Sequence, residues 1–121
     1  MTPIPTSTFD VETLRRAVEA RDASALAGLY ADDATVEIVD RDHGPSAPQR
    51  FEGIDAIRAH LEDVFGREMS HELAHVAASD DALGYSLRCR YPDGMRVVCA
   101  ATAAVSGGKI VSELGVQAWD A

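Results

Sequence analysis

Cysteine is scarce in this chain, positive charge is outnumbered, and long apolar runs are missing. Two cysteines in 121 residues, Cys89 and Cys99, cannot build the disulfide framework of a small secreted domain. Eleven lysine and arginine residues stand against twenty aspartate and glutamate residues, a formal net charge of −9. That balance repels phosphate backbones and argues against a nucleic-acid partner. No stretch approaches the ~20 apolar residues of a membrane-spanning helix, so no membrane partner is expected. The opening residues, Met1-Thr-Pro-Ile-Pro-Thr-Ser, lack a basic segment followed by an apolar core, so no secretory signal is expected either. These absences lead us to expect a cytoplasmic protein with reduced thiols.

What is present suffices for a folded domain. The chain is 46% hydrophobic, enough for a core without disulfide staples at this length. Residues 1–8 hold two prolines and no periodic apolar face, and read as a flexible lead-in to one domain over 9–121. Val11, Leu14 and Val18 recur at helical spacing, which predicts a helix from Asp10 to Arg21. Asp22 is a suitable N-cap for a short helix from Ala23 to Tyr30, which Asp32-Asp33 would break. The β-branched residues Thr35, Val36, Ile38 and Val39 predict a strand over Ala34–Asp40. Residues 41–52, with Gly44, Pro45 and Pro48, read as a long loop. Ile54, Ile57, Leu61, Val64 and Phe65 form one face of a third helix that Gly66 terminates.

After Arg67 the pattern changes to strands over 69–79, 82–91, 95–106 and 109–119. Asp80-Asp81, Pro92-Asp93-Gly94 and Gly107-Gly108 supply the turns. Three helices around one early strand, followed by an antiparallel meander, make an α+β plan.

Several words in this order resemble the nuclear transport factor two-like superfamily, also called the SnoaL-like or ketosteroid-isomerase-like cone. They are the stretch Ala20 to Glu37 with its Tyr30-Ala-Asp-Asp-Ala core, Phe51-Glu-Gly-Ile-Asp-Ala-Ile, and Gly108-Lys-Ile-Val-Ser-Glu. The resemblance covers residues 9–120. It implies a curved, mostly antiparallel sheet wrapped around the three helices, a cone-shaped half-barrel with a central pocket for a small apolar ligand. Members include isomerases, polyketide cyclases, dehydratases, epoxide hydrolases and non-enzymatic binding modules, so the fold leaves the reaction open.

Strand alternation combined with the resemblance directs particular residues inward. Val36, Ile38 and Asp40 would face the pocket from the first strand, and Tyr85, Leu87 and Cys89 from strand 82–91. The turn at Pro92-Asp93-Gly94 would pair Leu87 with Cys99, Tyr85 with Ala101 and Cys89 with Val97. That register turns Ala103 inward too and disfavours a Cys89–Cys99 disulfide. Leu14, Tyr30, Phe65 and Trp119 would complete the lining. All of these also fit ordinary core packing.

A steroid isomerase of this fold uses a carboxylate base and an oxyanion hole made of a tyrosine and a neutral carboxylic acid. The resemblance places those groups at Ile38, Leu14 and Ala101 or Ala103, where this chain has only apolar side chains. Isomerase chemistry of that kind is therefore not expected. Asp40 remains, with apolar neighbours that would raise its pKa, although a solvated strand end beside Asp42 fits as well. Dehydratase-like members pair a pocket histidine with an acid on the first helix, and the matching residues are His71 and Glu19. Such a dyad would suit proton abstraction; a surface glutamate and a polar strand start are the alternative. His43 could close over a ligand from the loop, and His60 would face solvent or the helix flank.

His71-Glu-Leu-Ala-His75 also matches the zinc-peptidase pattern H-E-x-x-H. That pattern works on a helix, whereas strand alternation would send Glu72 away from His71 and His75, and no third ligand helix follows. No metal and no cofactor are expected.

Three functional readings result. The first is binding of a small hydrophobic metabolite, with cofactor-independent cyclisation, isomerisation or dehydration by acid–base catalysis through Asp40, His71 and Glu19. The second is a non-catalytic ligand-binding or dimerisation module. The third is a zinc metallopeptidase. The small outward residues Val98, Ala100 and Thr102 suggest a flat outer sheet face suited to a homodimer.

Overall fold

The computed structural model describes residues 9–121, so the expected lead-in over 1–8 lies outside the described residues. Helix α1 spans Val11–Ala20. The Asp10 carboxylate starts it by accepting from the Thr13 N–H at 3.0 Å, which satisfies an otherwise unpaired donor of the first turn. Arg21 ends it in the left-handed conformation, φ 56°. The stripe Leu14, Ala17 and Val18 is buried. Helix α2 spans Ala23–Ala27, with Asp22 accepting from the Ala25 N–H at 3.0 Å.

Strand β1 runs from Tyr30 to Val39, four residues earlier than expected. Tyr30 therefore belongs to the sheet and not to the second helix. The cause is tertiary: Tyr30 pairs with Ile110, and the Ile110 N–H donates to the Leu29 carbonyl at 2.8 Å. Part of the expected loop is also a strand, β2 at Gln49–Glu52, paired antiparallel to β1 with Phe51 opposite Val36. Arg50 bridges to Glu37 at 3.0 Å and to Glu52 at 2.6 Å. Pairing to an existing strand thus overrides a loop-like composition. Helix α3 spans Ile54–Phe65, as expected.

The remaining strands are β3 (Ser70–Ala78), β4 (Ala82–Arg90), β5 (Arg96–Ser106) and β6 (Lys109–Trp119). Together with the first two they form one mixed sheet in the order β2-β1-β6-β5-β4-β3. Only β1 and β6 run parallel. The sheet is open, with β2 and β3 as its edges, and α1 packs on β3 while α3 packs on β1 and β2. The chain is thus an α+β cone that does not close into a barrel. Gly107 and Gly108 have φ of 58° and 78°, the two left-handed residues that a tight β5–β6 hairpin requires.

The β4–β5 register is the expected one, with Leu87 opposite Cys99, Tyr85 opposite Ala101 and Cys89 opposite Val97. On β3 the alternation breaks. Leu73 pairs with Leu87, but His75 pairs with Ser86, so Ala74 is an extra residue in a bulge. His71 stays buried, whereas His75 turns out to solvent. The expectation that the two histidines share a face is corrected by this one inserted residue.

Leu14, Val18, Ile57 and Ile110 are each less than 2% exposed and form the centre of the core. Leu14 was expected in the pocket wall, but it is buried in the core at 1% exposure and α1 reaches the cavity through Val18 instead.

Candidate functional site

Between the helices and the inner sheet face lies a cavity of about 140 Å³. Its middle is apolar: Val36 and Ile38 from β1, Leu87 from β4, Cys99 and Ala101 from β5, and Phe65 from α3. All were expected there except for the helix-side neighbours Ile57 and Leu61, which join them. Alternation along β6 brings Glu113, Gly115, Gln117 and Trp119 to the same wall.

Glu113 sits at one end. The Tyr85 hydroxyl donates to its Oε1 at 2.8 Å. The Tyr30 hydroxyl donates to its Oε2 at 2.9 Å, with a longer contact to Oε1 at 3.1 Å. The three polar groups come from β1, β4 and β6 and meet in front of β5, which contributes only Ala101 and Ala103 at that level. Burial raises the Glu113 pKa, and the two tyrosine hydrogen bonds only partly offset it. Burial first and the adjacent carboxylate second push both tyrosines well above the ordinary phenol value. The tyrosines therefore remain O–H donors, and Glu113, whose pKa is raised above the ordinary glutamate value, is the proton-exchanging member of the cluster.

At the other end, His71 of β3 lies opposite Cys89 of β4, with Nδ1 3.2 Å from Sγ. Its Nε2 is buried without a hydrogen-bond partner, and its ring meets Phe65 edge-on at 5.2 Å. Cys99 of β5 lines the same stretch of cavity wall. The neighbouring Cys99 thiol first, then the His71 hydrogen bond and charge, outweigh burial and hold the Cys89 thiol down to about 5. The Cys99 thiol is pushed up by the neighbouring Cys89 sulfur and by burial. Both cysteines are free, as the register implied.

The cavity opens at the Trp119 end. His60, Val64, Arg67, Tyr91, Gln117 and Trp119 line both the cavity and an adjoining outer groove, which makes them its rim. Trp119 stacks on Tyr91 at 5.9 Å and carries the Arg41 guanidinium 4.2 Å above its ring. His60 was expected at the solvent or helix flank; it stacks on Phe51 at 4.2 Å and belongs to the rim, and burial lowers its pKa.

Of the three expected catalytic residues, His71 lines the cavity as expected, but Asp40 and Glu19 are placed differently. Asp40 borders the outer groove and not the cavity. Its Oδ1 accepts from the backbone N–H groups of Asp42 and His43 at 2.9 and 2.8 Å and meets His43 Nδ1 at 2.9 Å. Burial pushes its pKa up, but these hydrogen bonds win and the net shift is downward, opposite to the expected rise. Asp40 fastens the 40–43 turn. Glu19 does not bond His71. Its Oε2 accepts from the Leu73 N–H at 3.3 Å and lies 4.0 Å from Arg15, two residues along β3 from the imidazole. The H-E-x-x-H residues lie on a strand. Glu72 is exposed beside Arg88 at 3.9 Å and His75 is exposed, so the motif cannot assemble around one ion. Among the described residues no group of three or more His, Cys, Asp or Glu side chains is arranged to hold a metal.

Sequence reasoning missed Glu113. The signal was available: Trp119 was already directed inward, and counting back by twos along the last strand reaches Glu113.

Comparison with known proteins fits this geometry. No curated protein matches the chain. Among solved structures, an NTF2-like protein of unknown function from Mesorhizobium loti superposes with a TM-score of 0.75 at 21% identity, over 97% of each chain. A candidate polyketide cyclase from Sinorhizobium meliloti gives 0.65 at 20% identity, over 87% of this chain and 91% of that one. The epoxide hydrolase/cyclase-like enzyme SalBIII, of pyran ring formation in the polyether salinomycin, gives 0.64 at 22% identity, over 89% and 87%. These likenesses establish the fold. The SnoaL-like domain family matches residues 11–113, most of the chain, and the protein belongs to that family.

Proposed function

We propose that this protein binds a small, mostly apolar molecule carrying a carbonyl or hydroxyl oxygen, and moves protons on it by acid–base catalysis without a cofactor. One observation carries the reading: a glutamate with a raised pKa, held by two tyrosine hydroxyls, at the end of an otherwise apolar cavity. Raising a carboxyl pKa moves it toward the working pH, which suits the group both to accept and to donate a substrate proton. The tyrosines fix its orientation, and their hydroxyls can turn to a developing oxyanion. Cyclisation, isomerisation and dehydration all need such a proton transfer. Likeness to a cyclase-like fold supports this class of chemistry.

The cavity sets the scale of the ligand. An engineered cavity of about 150 Å³ takes a benzene-sized molecule. A cavity of about 140 Å³ therefore holds roughly one ring, and a longer ligand would extend through the Trp119 rim. Ile38, Phe65, Leu87, Cys99 and Ala101 would contact its apolar body. The proton-transfer role first expected of Asp40 and Glu19 passes to Glu113, because neither of them reaches the cavity. The free thiols Cys89 and Cys99 favour a reducing, cytoplasmic setting.

The test uses single-ring ketones, beginning with cyclohexanone, in deuterated buffer. Proton NMR follows ligand shifts and exchange at the carbon next to the carbonyl. The expected result is exchange above the buffer background that falls at least tenfold in Glu113→Gln. Exchange unchanged by that variant would overturn the assignment of Glu113. Binding without exchange across the ketone series would favour the second reading, a ligand-binding module. Ile38, Leu14 and Ala101, apolar where isomerases of this fold place their catalytic groups, give that reading its support.

A further inference from the structure

We propose that Cys89 is a second reactive centre of the cavity, a nucleophilic thiol with His71 as its base, which adds to the electron-poor carbon of a small α,β-unsaturated carbonyl compound. The cross-strand pairing of His71 with Cys89 places Nδ1 3.2 Å from Sγ, within reach for proton transfer. The sulfur is the only hydrogen-bond partner of the imidazole among the described residues. Glu19, which could have drawn the imidazole away, is bonded to the Leu73 N–H instead. The unpartnered Nε2 of the same buried imidazole leaves His71 with no competing hydrogen bond. An imidazole N–H beside the sulfur stabilises its thiolate, and the thiol pKa is accordingly held below the ordinary cysteine value.

The class of electrophile follows from the surroundings. Cys89 is only 5% exposed and lines the cavity, so a reagent must pass the aromatic rim and be apolar. A soft thiolate prefers a polarisable carbon. Cys89 and Tyr85 lie four residues apart on the same face of β4, about 13 Å at ~3.3 Å per residue. A single-ring enone is shorter than that, so it meets the thiol at the rim end without reaching the tyrosine–glutamate end.

The step balances without a further reactant. The S–H bond breaks and its proton passes to His71 Nδ1. The sulfur electron pair forms a C–S bond at the β-carbon, and the π pair moves through the α-carbon to the carbonyl oxygen. The enolate then recovers the proton from His71 at its α-carbon. The adduct mass is the sum of protein and ligand, and nothing is oxidised or reduced.

The experiment treats the full chain with 2-cyclohexen-1-one at pH 6 and pH 8, reading intact mass over time and locating the adduct by peptide mapping. The expected result is one adduct, on Cys89, formed at pH 6 within about threefold of its rate at pH 8. An unstructured cysteine, with a pKa near 8.5, slows roughly 100-fold over that interval. His71→Gln should slow the reaction at least tenfold at pH 6 and restore the steep pH dependence of a free thiol. Prior labelling of Cys99, a free-thiol pH dependence in the wild-type protein, or no adduct at all would overturn the proposal. The wild-type profile decides the matter even where the variant folds poorly.

Discussion

Tyr85 donates to Glu113 at 2.8 Å although a whole strand lies between them. Tyr85 is on β4, Glu113 on β6, and the intervening β5 presents Ala101 opposite Tyr85 and Ala103 opposite Glu113. Two alanines in succession on the inner face leave a trough across which the phenol reaches. The small residues that stand where a familiar isomerase has its acid therefore make room for a carboxyl from the next strand. Ala101→Leu should fill that trough. We expect loss of the Tyr85–Glu113 hydrogen bond, a smaller cavity, and destabilisation of about 1–3 kcal/mol from overpacking. Chemical denaturation measures the cost, and ketone titration by NMR measures the lost binding.

Glu113 should leave a signature in the pH dependence of stability. Burial raises its pKa in the folded state above the ordinary glutamate value. The folded protein therefore holds a proton that the unfolded chain has released, and stability falls as pH rises from the unfolded pKa through the folded one. Below the unfolded pKa the penalty is absent; above the folded pKa it is complete. Glu113→Gln, which keeps an oxygen acceptor for the tyrosines, should melt higher than wild type at pH 8. The difference should vanish as pH falls below about 4.3. Thermal melts across that range check this, and equal melting temperatures at pH 8 would mean that burial does not strain the carboxylate.

The two tyrosines should prove unequal. Tyr85 makes the shorter contact, and Tyr30 shares its hydroxyl between both oxygens at 2.9 and 3.1 Å. Each hydrogen bond lowers the Glu113 pKa against the opposing effect of burial. Tyr85→Phe should therefore raise that pKa further and move the alkaline-rising limb of any exchange profile upward. It should also cost about 1–3 kcal/mol through a buried acceptor left short of a donor. Tyr30→Phe should shift the limb in the same direction. A double-mutant cycle should show coupling between them, since both act on one carboxyl; additive effects would mean that the cluster does not act as a unit.

The fold was legible because periodicity reports it. The helix stripes, the turn dipeptides and the β4–β5 register all follow from local spacing, and most of the inner wall follows from the register. Three things did not follow. β2 forms because β1 offers an edge, and no composition signal in 41–52 reveals that partner. The bulge at Ala74 is one residue long and reverses the facing of His75. Asp40 looked like a base because its strand is apolar, but its acceptor capacity is taken by the following turn, which only coordinates reveal. Glu113 was passed over for the opposite reason: a charged residue in a strand suggests the outer face until alternation from Trp119 is counted.

The displaced histidine gives a test of the zinc motif. His75 faces solvent on one side of the bulge, and His71 is committed to Cys89 on the other. Zinc at stoichiometric concentration should leave the melting temperature unchanged, and His75→Ala should alter stability by no more than about 0.5 kcal/mol. A zinc-dependent rise in melting temperature that His75→Ala abolishes would show that the strand can rearrange around the metal.

The outer sheet face supplies the last prediction. Val98 on β5 and Leu114 and Val116 on β6 are 49%, 44% and 46% exposed, large apolar side chains on one surface. Val98 pairs with Ala118, Ala100 with Val116 and Thr102 with Leu114, so they form a continuous patch with small neighbours. An apolar sheet face of this kind is costly in water and suits a second copy of the same face, related by a two-fold axis. We expect a homodimer at micromolar concentration in sedimentation velocity. Leu114→Arg should convert it to monomer, because the two-fold axis brings like charges together while the cavity behind the sheet is untouched. A wild-type monomer at that concentration would remove the dimer. A Leu114→Arg dimer would move the interface away from this face.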